Sequence, residues 1–123
     1  MLNQGRITAT IAVKDLEAAK AFYGGTLGLT AVQENEIGIW YESGGSRVLI
    51  FPSEFAGTNK ATYAGWDVAD VDGVVADLKA RGVKFMTFDL PGATWEGEVA
   101  NFGPAKSAWF TDPEGNILAV GNM

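Results

Sequence analysis

The chain repeats itself. ITATIAVKDLEAAKAFY (7–23) aligns on TYAGWDVADVDGVVADL (62–78) at an offset of 55, which brings Val13 onto Val68, Asp15 onto Asp70 and Leu16 onto Val71. Further along, WYESGGSRVLIF (40–51) aligns without a gap on WFTDPEGNILAV (109–120) at an offset of 69. Trp40 then meets Trp109, Tyr41 meets Phe110, the turns coincide, and Ile50 falls on Ala119. Two matched pairs in the same order point to a duplicated unit. The offsets differ by 14 residues (69 − 55), so the second unit carries an insertion, placed within 86–106.

Each unit reads as a strand, a helix and three more strands. Residues 6–13 alternate, with Ile7, Ala9, Ile11 and Val13 on one face and Thr8, Thr10 and Ala12 on the other. Asp15 is an N-cap for a helix whose stripe is Leu16, Ala19, Phe22, Tyr23 and Leu27, stopped by Gly28. Asp70, the stripe Val71, Val74, Val75 and Leu78, and Gly82 do the same in the second unit. Short strands are expected at 30–35, 37–42 and 46–51, then at 83–88, about 98–102, 106–111 and 116–121. The fold expected is α+β. Two tandem βαβββ modules, about 5–52 and 61–123 with a linker over 53–60, make a single domain over 1–123. Their strands form a curved mixed sheet with helices outside and a central cleft on the face bearing Thr8 and Thr10.

Composition then narrows the chemistry. The chain has neither histidine nor cysteine. That removes the commonest proton-transfer side chain, the thiol nucleophile and the soft or imidazole metal ligands. A charge of −6 speaks against nucleic acid and anionic membranes as partners. No apolar run approaches the ~20 residues of a membrane span, and MLNQGRITAT lacks the regions of a signal peptide, so a cytoplasmic location is expected.

The opening strand, V-x-D-L and helix ending in LG, together with the closing W-F-x-D-P-E-G-N-x-L-x-V, resemble the vicinal oxygen chelate superfamily. Its members include glyoxalase I, extradiol dioxygenases and bleomycin-resistance proteins. The resemblance spans nearly the whole chain. It implies metal ligands at four positions: a His seven residues before each helix cap, and a Glu seven residues after the Asp of the D-P-x-G turn with its repeat counterpart. Here those positions hold Thr8, Tyr63, Ala119 and Ile50. No metal and no cofactor are therefore expected, nor glyoxalase I or extradiol dioxygenase activity. The resemblance also implies a homodimer, and the exposed-strand candidates carry no run of edge lysines.

A three-residue turn ending in Gly115 pairs Asp112 with Asn116 and sets Trp109 opposite Ala119. The same count in the first hairpin sets Trp40 opposite Ile50, leaving Tyr41, Phe51 and Phe110 on the helix side. Trp40 and Trp109 either stack on a ligand or fill the cleft as core. The insertion carries Phe88, Trp95 and Phe102 and reads as a lid or as a surface loop. Thr8, Thr10, Trp40, Ile50, Tyr63, Trp95, Phe102, Trp109 and Ala119 are thus the expected ligand-binding set. Two functions stay open: metal-independent binding of an aromatic or cationic small molecule, or a cofactor-free isomerase or lyase using Tyr63 and a cleft carboxylate such as Glu98.

Overall fold

The computed structural model describes residues 1–122; Met123, the last residue assigned to the second module, lies outside them. The order is β1 (Ala9–Val13), α1 (Leu16–Ala19), β2 (Thr30–Glu34), β3 (Ile39–Ser43), β4 (Ser46–Pro52), β5 (Thr62–Asp67), α2 (Val71–Ala80), β6 (Phe85–Met86), β7 (Thr94–Glu96), β8 (Val99–Phe102), β9 (Ala105–Thr111) and β10 (Ile117–Gly121). The fold is α+β, built as two strand-rich modules. One sheet runs β1-β4-β3-β2 and the other β5-β10-β9-β8-β7, with β6 also on β9. Each is mixed: β1 lies parallel to β4 and β5 parallel to β10, while the hairpin partners are antiparallel. The edge strands β1 and β5 touch where the sheets meet. Among the described residues no helix is long and apolar enough to cross a membrane.

Local chemistry explains the helices. The Asp15 carboxylate accepts from Ala18 N at 3.1 Å, and that of Asp70 from Gly73 N at 2.9 Å. Gly28 (φ +73°) and Gly82 (φ +90°) stop the helices in the left-handed region, where a Cβ is unfavourable. After Ala19 the first helix widens into π-type turns over Lys20–Thr26, closed by Leu27 N donating to Phe22 O. Gly24 lies within that stretch and lets the Tyr41 ring approach its backbone.

One face of each sheet is covered. Ile11, Val13, Ile39, Tyr41 and Ile50 join Leu78, Phe110 and Leu118 in one buried cluster beneath the helices. Phe22 of the first helical segment packs on Phe110 of β9 at 6.5 Å between centroids, so the core crosses from one module to the other. Each such aliphatic or aromatic side chain contributes roughly 1.5–3 kcal/mol by leaving water.

Three expectations change here. The first strand starts at Ala9 rather than residue 6, and Ile7 is 96% exposed instead of sharing the core face. Phe51, expected on the helix side, pairs with Ala12 on the opposite face. The insertion is not a plain surface loop. Its β7 and β8 form a hairpin that continues the second sheet from β9, through Glu96↔Val99 and Ala100↔Ser107.

Candidate functional site

The uncovered face is organised by two cross-strand rows. In the second module Gly65 (β5), Ala119 (β10), Trp109 (β9) and Met86 (β6) lie side by side. In the first, Thr10 (β1), Leu49 (β4), Trp40 (β3) and Gln33 (β2) do so. None of the eight is fully buried, whereas the adjacent row Ile11, Ile50 and Ile39 on the helix side is essentially inaccessible. Trp109 stands opposite Ala119 as the three-residue turn requires.

The first hairpin corrects the expected set. Trp40 stands opposite Leu49, and Ile50 is 0% exposed against Ile39 and Ile11 on the helix side. The cause is the turn. Ser43 pairs with Ser46 across a two-residue loop, Gly44-Gly45, with φ of +55° and +81°. Positive φ at both loop positions is the primed turn that suits the strand twist, one residue shorter than the Pro113-Glu114-Gly115 loop. A slip of one residue exchanges faces, so Leu49 takes the place expected of Ile50. The Gly-Gly pair was the signal that could have found it.

Aromatic residues gather at one end of the second row. Phe88 meets Trp109 edge-on at 4.9 Å and Trp95 at 5.8 Å, and Trp95 lies 6.1 Å from Trp109. Trp95 reaches this place because it pairs with Ala100, on the same sheet side as Ser107 and Trp109. Phe102 follows two residues on, paired with Ala105 and exposed at the strand end. Trp109 stays half-buried, flanked by rings on one side and by the small Ala119 and Gly65 on the other. Trp40 belongs to none of these ring contacts.

The remaining candidates are scattered. Thr8 precedes β1 and is exposed, as is Thr10. Tyr63 sits where the β5–β10 register shifts; its ring packs against the buried core and its hydroxyl accepts from Asn59 N at 3.3 Å. A bulge at that point re-aims a side chain. Glu98 is paired with Lys79 of α2, so nothing brings it to Tyr63. The metal of the resembling enzymes does not fit these residues. Thr8, Leu49, Tyr63 and Ala119 offer at most two neutral hydroxyls, and no three of Asp, Glu, His or Cys converge among the described residues.

The D-P-E-G-N turn has a role that sequence reasoning missed. Asp112 is 4% exposed, and its carboxylate accepts from Tyr23 Oη at 2.7 Å, Asn116 Nδ2 at 2.8 Å, and the Glu114 and Asn116 amides at 2.9 Å. Asn116 also donates to Ala12 O and accepts from Gly57 N. Glu114 accepts from the Lys14 and Asp15 amides. This turn therefore clamps the second module to the first strand, the first helix and the linker. Burial, and then the Asp112 carboxylate, push the Tyr23 phenol far above its ordinary range.

Comparison with known proteins places this geometry. A family model described as the Glyoxalase/Bleomycin resistance protein/Dioxygenase superfamily matches residues 5–120. No curated protein matches the chain. Among solved structures, the glyoxalase family protein from Enterococcus faecalis is similar at 21% identity and TM-score 0.74, covering 98% of this chain and 99% of that one. Lactoylglutathione lyase from Agrobacterium tumefaciens superposes at 19% identity and TM-score 0.69, over 95% and 92% of the two chains. A glyoxalase/bleomycin resistance protein/dioxygenase from Alicyclobacillus acidocaldarius does so at 22% and 0.71, over 95% and 89%. At these identities the likeness speaks for the fold.

Proposed function

The chain belongs to the Glyoxalase/Bleomycin resistance protein/Dioxygenase superfamily, and on that footing we propose that it binds an aromatic small molecule without a metal. The observation that carries this reading is the Gly65–Ala119–Trp109 row. Two nearly bare residues make a floor beside an indole that Phe88 and Trp95 hold in place. A flat ring laid on that floor meets Trp109, and aromatic contacts contribute about 0.5–1.5 kcal/mol beyond area burial. Of the two ligand classes expected, the aromatic one is favoured over the cationic. Glu42, on this face, lies by Arg47, and the floor itself, Gly65 and Ala119, carries no charge.

Binding of neutral aromatic compounds is expected to quench tryptophan emission. Trp109→Ala should weaken it at least tenfold, or about 1.4 kcal/mol, and Trp95→Ala less, because Trp109 borders the Ala119 floor directly while Trp95 packs behind it. Ala119→Glu should hinder binding, since it sets a carboxylate on the apolar floor. Elemental analysis of the same samples should find transition metal well below one per chain. An unchanged affinity in Trp109→Ala would sink the reading.

We also infer a homodimer. Every residue of the edge strand β2 is exposed, and Leu2 and Ile7 leave apolar surface uncovered at the N-terminus. Uncovered edges of this kind are usually paired or blunted. Light scattering should report about twice the 13.0 kDa of the chain; a monomer at micromolar concentration would refute this.

A further inference from the structure

On the helix-covered side, at the junction of the two modules, the structure holds a cavity of about 140 Å³ that the aromatic row does not use. Leu27 and Leu29 wall it from the first module, Val74 and Leu78 wall it from α2, and Trp66 and Phe110 make its floor. Those two rings lie near-parallel, 6.2 Å apart between centroids and at 26°, and both border the space. Most of the lining side chains are apolar, and Ser43 is the polar one among them. The Trp66 indole N–H is already donated to Ser43 Oγ at 3.2 Å, and no buried side-chain nitrogen or oxygen among the described residues lacks a partner.

A mostly apolar lining of this kind offers water few partners on the protein side. The space opens to solvent on one side, so a ligand can enter it, and its volume is close to the ~150 Å³ that accommodates a benzene-sized molecule. A charged or strongly polar ligand would lose its hydration there without compensation. Close packing is also easily achieved at this place, since one larger side chain at position 74 would fill the space.

We propose that this cavity is a second binding site, for an uncharged single-ring aromatic or short-alkyl molecule seated on Trp66 between the modules. It is independent of the Trp109 row, which lies on the opposite face of the sheets. Because its walls come from both modules, an occupant stabilises their docking and raises the thermal midpoint with concentration, as any ligand specific to the folded state must.

Titration of the full chain with toluene, followed by methyl NMR, tests this. Saturable shifts are expected at Leu27, Leu29, Val74 and Leu78, together with a rise in the unfolding midpoint. Val74→Phe, which fills the space, should weaken toluene binding at least tenfold, and Leu27→Phe serves if that variant does not fold. Trp109→Ala should leave the affinity read from the Leu27, Leu29, Val74 and Leu78 methyl shifts within twofold, whatever it does to binding at the Trp109 row. The proposal is overturned if no saturable shift occurs up to the solubility of toluene. It is equally overturned if a folded cavity-filling variant binds as before, or if Trp109→Ala abolishes the effect.

Discussion

Asp112→Ala is expected to lower the unfolding free energy by about 4 kcal/mol, a loss few single substitutions reach. The substitution removes the acceptor for four donors at once. Two of the side chains involved, Tyr23 and Asn116, are 0% exposed, so water cannot replace the carboxylate. A buried donor left without a partner costs about 1–3 kcal/mol. Tyr23→Phe removes only one of the four bonds and should cost about 1.5–3 kcal/mol. A loss below 1 kcal/mol for Asp112→Ala, by denaturant unfolding, would show that the clamp is dispensable.

The two variants differ in alkali. An unfolded tyrosine ionises near pH 10, whereas the folded Tyr23 phenol keeps its proton to higher pH because it is buried beside Asp112. Above pH 10 the folded state therefore binds one proton more than the unfolded state. The stability from this group is complete below pH 10 and is lost as pH rises, at up to about 1.4 kcal/mol per pH unit. Tyr23→Phe should remove that part of the alkaline slope. Tyr41, also raised by burial, keeps its share.

Signals that act within a few residues were legible in the sequence. The Asp15 and Asp70 caps, the Gly28 and Gly82 stops and the Gly115 turn each depend on a neighbour three or four positions away. What failed depends on partners. Alternation assigned Ile7 to a core face, but periodicity reports a side and not the presence of a neighbouring strand; pairing with β4 ends at Ala9↔Val48 although β4 runs on to Ser46. Ile50 and Leu49 exchanged faces because the repeat aligned two hairpins of different loop length as if they were equal. The clamp was hidden for another reason. Tyr23 and Asp112 are 89 residues apart, and each alone reads as ordinary, one as helix stripe and the other as turn.

The linker carries the last large effect. Gly57 adopts φ +72°, and a Cβ there would run into the Glu114 carbonyl oxygen of the D-P-E-G-N turn. Its amide donates to Asn116 Oδ1 at 3.0 Å, so the linker cannot move away without breaking the clamp. Gly57→Ala combines an unfavourable left-handed residue, about 1–2 kcal/mol, with a backbone collision that must be relieved by displacement. A total loss of about 3 kcal/mol is expected. Gly44→Ala separates the two causes. Gly44 also has positive φ, +55°, but a Cβ there meets nothing within 4 Å, so only the conformational cost remains. Thermal unfolding should rank Gly57→Ala well below Gly44→Ala. Equal losses would mean that the linker yields freely and that the contact with the turn does not hold the two modules in register. If the ranking holds, the same contact sets how β1 and β5 meet, and with it the place of Gly65 at the end of the Trp109 row, so Gly57→Ala should weaken aromatic binding although residue 57 lies in neither row.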